Sequence, residues 1–203
     1  MAPLPESFRA FAYQSGIDRI RDAFRASVAT METARQNANE AHTRYLESGE
    51  DDREYDEEGV LIRSTAHELD YETLNATLAV TVVREAFVTS AFHYWEVSAR
   101  GWTGLNGQHD NFNPLCKASA KCYAISPQLI VINHLNNTIK HNNAYHAREL
   151  AKRHKGYFSR LPASAMRKSS GGSDEEVWTW TLQLSDAHVE EALEIVRASG
   201  PQY

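Results

Sequence analysis

Apolar residues recur along most of this chain at intervals of three and four, the spacing that lays a stripe along one face of an α-helix. Between Pro5 and about Glu47 the stripe runs through Phe24, Val28, Met31, Ala34, Ala38, Ala41 and Tyr45. Gly16 interrupts it and is expected to divide off a short first helix around Phe8 and Phe11. The longest pattern extends from about Ser64 to Arg100, where Leu74, Leu78, Val82, Val83, Phe87, Ala91, Tyr94 and Trp95 wrap more than one face. A helix apolar over that width is expected at the centre of a bundle.

Polar breaks separate these patterns. The acidic stretch 48–59 reads as an exposed loop, and "GWTGLNGQHDNFN" combines three glycines with several turn formers. Asn113-Pro114 has the form of an N-cap with proline at the first helical position, opening a short helix through about Ala124. Ser126-Pro127 repeats the device and opens a helix to about Asn142, and "YHARELAKRHKGYF" gives a further helix or helical turn. Over 163–184 the pattern changes: "SSGGS" is a turn and "VWTWTLQL" alternates, as a small β-hairpin would. Ser185 or Asp186 then caps a last helix over 186–199, closed by glycine and proline. The expected fold is mainly all-α: one domain over 1–203, an antiparallel helical bundle with a small late hairpin.

With 203 residues the chain can bury a substantial core without metal or disulfide staples. No run of about 18 apolar residues suggests a membrane span, and the start lacks the basic and apolar regions of a secretory signal. Cys116 and Cys122 are the two cysteines, so a reducing cytoplasm is the expected location. They form no C-x-x-C pair, and their spacing to His134, His141, His146 or His154 matches no established zinc finger, so no metal is expected. No P-loop and no G-x-G-x-x-G occurs, and no cofactor is expected. Trp102, Trp178 and Trp180 read as core or interface residues.

The net charge of −6 conceals a division. Between Asn113 and Ser170 stand ten Lys/Arg (among them Lys140, Arg148, Lys152, Arg153 and Lys155) against a single carboxylate, Glu149. Such a block is either a solvated face or a surface for a polyanion such as RNA. Inside it lies "INHLNNTIKHNNAYHAREL", with three histidines, five asparagines and a lysine. At about 100° per residue, Leu129, Ile132 and Ile139 face a core with Leu135 at the edge, and Asn136 falls near that face. His134, Asn137, Thr138 and His141 gather opposite, with Lys140 beside them; Asn142-Asn143 supplies a helix stop.

"LNNTIKHNN" resembles the signature of HEPN-like domains, whose usual motif is Arg, four to six residues, then His, commonly as Arg-Asn-x-x-x-His. "AFHYWEVSAR" looks like the long-helix segment of some bacterial relatives, in which an aromatic-Trp-Glu stretch precedes a basic residue. The similarity covers roughly Thr89 to Asn143. The resemblance implies a helical bundle, a homodimer, and metal-independent endoribonuclease activity in a bacterial toxin–antitoxin or phage-defence system. An antitoxin or defence-complex subunit would then be a partner. It equally accommodates a non-catalytic subunit that binds RNA or a partner protein. The motif maps onto Asn137 and His141, while Asn136 occupies the arginine position; Lys140 or Arg100 would supply the charge.

RNA carries its own nucleophile, the 2′-hydroxyl, so the chemistry needs an acid/base group and a cation near phosphorus. The resemblance assigns acid/base work to His141, positioning to Asn137 and charge to Lys140. His134, Asn136, Glu96 and Arg100 are supporting residues, with Lys152, Arg153 and Lys155 holding RNA. Glu96, set in an apolar helix beside Trp95, is expected to find a partner among Arg100, Lys140 and His141.

Overall fold

The computed structural model describes residues 5–105, 111–159 and 181–203. Six helices account for most of them: α1 (Glu6–Ser48), α2 (Thr65–Thr103), α3 (Phe112–Ser119), α4 (Leu129–His141), α5 (Ala144–Arg153) and α6 (Asp186–Arg197). Two short strands, β1 (Glu54–Tyr55) and β2 (Leu61–Arg63), pair antiparallel within and just after the acidic stretch expected to be a plain loop. Asp56 makes that turn, its carboxylate accepting from the Glu58 and Val60 amides. The bundle is mainly helical, and among the described residues no helix is long and apolar enough to cross a membrane. Residues 163–180 of the expected late hairpin, with Trp178 and Trp180, lie outside the described residues. At its described end Leu182 forms an antiparallel bridge with Phe158.

The chain divides into two compact units, one comprising 1–23 and 84–203, the other 24–83. In the first, α1 and α2 meet at close range. Gly16 does not end a helix: α1 runs through it, and glycine is required there because a Cβ would lie 2.0 Å from the Tyr94 hydroxyl. The missing side chain lets Tyr94 reach the Ala12 and Tyr13 carbonyls and stack on the Tyr13 ring, centroids 5.5 Å apart. Tyr13 donates to the Val196 carbonyl and the Trp95 indole to the Ser199 carbonyl, so the end of α6 is tied to both long helices. Trp95, Leu115, Leu129, Ile132, Leu135, Leu150 and Leu193 fill this core. Ser185 caps α6 in a reciprocal box with His188, as its position suggested.

The second unit holds the rest of α1, the hairpin and the start of α2. Phe24, Val28 and Val80 are buried there, but Leu74, Leu78 and Val82, expected to be central to a bundle, are exposed. The unit has only two helical stretches, so among the described residues it supplies no element to bury one side of this part of α2. The start of α3 also differs from expectation. Asn111 is its N-cap and Pro114 falls in its first turn, and it ends at Ser119 rather than Ala124.

Candidate functional site

The site depends on how α4 ends. Asn142 adopts a left-handed conformation, φ 45°, a region asparagine tolerates better than most residues, and it stops the helix. Asn143 at once caps the next helix, its side chain accepting from the Tyr145 and His146 amides. Two adjacent asparagines therefore turn the chain so that α5 folds back onto α4. The result changes the wheel of α4. His134 and Thr138, expected on a polar face opposite the core, are buried because α5 covers that side. The Thr138 hydroxyl is used internally, donating to the His134 carbonyl at 2.9 Å. Leu129, Ile132, Leu135 and Asn136 are buried as their angles imply, while Ile139 is half-buried.

The turn brings His146 to His134, with their Nδ1 atoms 2.8 Å apart. A bond between two such nitrogens needs one proton: one ring donates Nδ1–H and the other accepts with a bare Nδ1. When both rings are neutral, the donor ring has a basic Nε2 and the acceptor ring carries Nε2–H. The pair thus holds a base on one ring and, once the shared Nδ1 proton passes across, a proton donor on the other. Burial pushes the His134 imidazole below its ordinary value; His146 and Arg153 add to this and Glu149 opposes it. Burial also lowers His146, helped by the nearby His141. Both shifts favour the neutral pair near pH 7. Tyr145 stands edge-on to both rings, at 6.2 Å and 5.2 Å.

The pair borders a cavity of about 540 Å³, within the usual range of small-molecule sites. From α4 come Asn136, Asn137 and Lys140; α2 contributes Glu96 and Phe92, and α3 contributes Phe112. Asn137 donates to the Asn133 carbonyl at 2.8 Å and to its side-chain oxygen at 3.1 Å, which fixes both amides along the wall. Asn136 is 6% exposed, and its Oδ1 is sealed from solvent without a hydrogen-bond partner among the described residues. Glu96 pairs with Arg100 at 3.9 Å, one of the expected partners, and with His93 at 3.8 Å.

The fold therefore gathers Asn136, Asn137, Lys140, His134 and Glu96 around one cavity and leaves other expected residues outside it. His141, the motif histidine, is exposed at the end of α4 and does not line the cavity. Arg100 reaches the site only through Glu96. Lys152 and Arg153 are exposed on α5 and both approach Glu149, at 2.5 Å and 3.9 Å, so this carboxylate offsets much of their charge; Lys155 is exposed beyond them. His146, Tyr145 and Phe112 were not singled out for this site. For the first two, the signal was the helix stop at Asn142-Asn143, which implies that the next helix returns along α4.

Among the described residues no group of three or more His, Cys, Asp or Glu is placed to hold a metal ion, and both cysteines are free thiols. No family model, curated protein or solved structure matches the chain.

Proposed function

We propose that this chain is a HEPN-like protein that acts on RNA as a metal-independent endoribonuclease. The hydrogen-bonded His134–His146 pair at the edge of a polar cavity is the observation that carries this reading. The basic Nε2 of one ring takes the proton of a ribose 2′-hydroxyl. The 2′-oxygen bonds to phosphorus as the bond from phosphorus to the 5′-oxygen breaks; the shared Nδ1 proton crosses to the other ring, whose Nε2–H then protonates the leaving oxygen, and both rings end neutral. The products are a 2′,3′-cyclic phosphate and a 5′-hydroxyl. Lys140 offsets charge on phosphorus, Asn137 orders the cavity wall through Asn133, and His141 stands outside the cavity next to His146. A homodimer and a toxin or defence setting, with an antitoxin or complex subunit as partner, belong to the same reading.

The test is cleavage of RNA by purified protein in EDTA. His134→Asn and His146→Asn are each expected to lower the rate by about 10²–10⁴-fold, the usual contribution of general acid–base catalysis. His141→Ala should cost much less; loss confined to His141→Ala would return the role to the motif histidine. The buried Asn136 where the motif has arginine favours a second reading, a subunit that binds RNA or a partner protein without cutting. RNA that is bound but left intact, both in EDTA and in buffer carrying Mg²⁺ instead, would establish it.

A further inference from the structure

Among its described lining residues the cavity has one carboxylate, on Glu96, and this group identifies a ligand. Glu96 is half-buried on the wall, and its two ion-pair contacts, 3.8 Å and 3.9 Å, lie beyond hydrogen-bond distance. Both of its oxygens thus retain capacity for a neighbour with N–H groups. Phe112 and the mostly exposed Tyr145 give the same cavity aromatic surface, and Lys140 brings a solvent-exposed cation to its lining.

We infer that the cavity is a guanine pocket, in which Glu96 accepts hydrogen bonds from the base edge and Lys140 meets the attached phosphate. This inference rests on the RNA reading above and names the nucleotide at which the protein engages its substrate. The choice among bases comes from donor order. Guanine presents two adjacent donors, N1–H and the 2-amino group, which match the two acceptors of a carboxylate. Adenine and cytosine set a single amino donor beside a bare ring nitrogen, whose lone pair would face a carboxylate oxygen. Uracil offers one N–H between two carbonyls. Stacking on Phe112 or Tyr145 favours any base, so the discrimination comes from Glu96. The phosphate stays outside, since a half-buried carboxylate repels it and Lys140 is exposed. A base seated here must be unpaired, so the substrate is a single-stranded or looped RNA.

The experiment is calorimetric titration of the full chain, in EDTA, with the 3′-monophosphates of guanosine, inosine, adenosine, cytidine and uridine. Guanosine monophosphate is expected to bind at least about tenfold more tightly than the adenosine compound, the scale of one good bidentate contact. Inosine monophosphate, lacking the 2-amino group, should fall between them. Glu96→Gln, with an unchanged melting curve, should abolish the preference, and Glu96→Ala should weaken guanosine binding further. Equal binding of the guanosine and adenosine compounds, no binding of either, or a preference that survives Glu96→Gln overturns the inference. The underlying reading fails differently. Histidine-dependent RNA cleavage without guanine preference sinks the pocket alone, whereas guanosine monophosphate binding by a protein that neither cuts nor holds RNA sinks the RNA reading and leaves a free-nucleotide site.

Discussion

Residues 65–83 and 84–103 of the single helix α2 differ sharply in what the fold does with their apolar side chains. In the first stretch Leu74, Leu78 and Val82 stand 53%, 52% and 61% exposed; in the second Val88, Ala91 and Trp95 are completely buried. Both stretches carry apolar residues at helical spacing, so the difference lies in what surrounds them. The unit containing 84–103 also holds α3 to α6, which supply the surfaces that cover it. The unit of 24–83 has only part of α1 and a short hairpin besides its own stretch of α2. The cavity and the histidine pair belong entirely to the better packed unit. A site that needs two nitrogens held at hydrogen-bond distance gains from side chains fixed on every side.

The largest test of this contrast compares two leucines. Leu135→Ala, on a completely buried side chain of α4, is expected to cost about 2–5 kcal/mol in urea unfolding. Leu78→Ala should change stability by less than about 0.5 kcal/mol. Similar losses at both positions would mean that something covers the 65–83 stretch in solution. A smaller effect is expected at the turn that builds the site: Asn143→Ala removes the cap of α5 and should cost about 1 kcal/mol. Increased hydrogen exchange confined to α5 would show that the cap, rather than the core, had been touched.

The response to acid should be smaller still and should reside in the packed unit. His134, His146 and His188 are all held below their ordinary value of 6.5, mainly by burial, with Glu191 opposing the shift at His188. Folded, these groups bind fewer protons than unfolded, so stability rises with pH across the interval between the folded and ordinary values. Their contribution is constant well above 6.5, and stability declines as the pH falls through 6.5 toward the lowered values. Unfolding midpoints measured at descending pH should show this decline, and replacing His134 and His146 together by asparagine should flatten part of it. A midpoint that climbs as the pH drops below 6.5 would contradict the neutral, hydrogen-bonded pair.

Much of the helical organisation was legible in the chain. The limits of α1 and α2, the stop at Asn142 and the cap at Ser185 lie close to where periodicity and capping chemistry put them, because each depends on residues within a turn of one another. Gly16 was misread for the opposite reason. Its meaning depends on Tyr94, far along the chain, and local breaker logic knows nothing of that ring. Leu74 and Leu78 show the same limit, since a helical wheel identifies an apolar face but cannot supply the element that would cover it.

By itself the sequence determined that the protein is mainly helical, that its basic charge collects after Asn113, and that histidines and asparagines concentrate around one helix end. Those properties are set by composition, spacing and local backbone preference. Only the tertiary structure decided which of these groups meet. The α4–α5 turn laid His146 against His134, buried Thr138, left His141 in solvent, and placed Glu96 of α2 across a cavity from Asn136 and Lys140. Proton sharing and ligand recognition depend on distances of a few ångströms between residues on different helices, and the packing of those helices sets the distances.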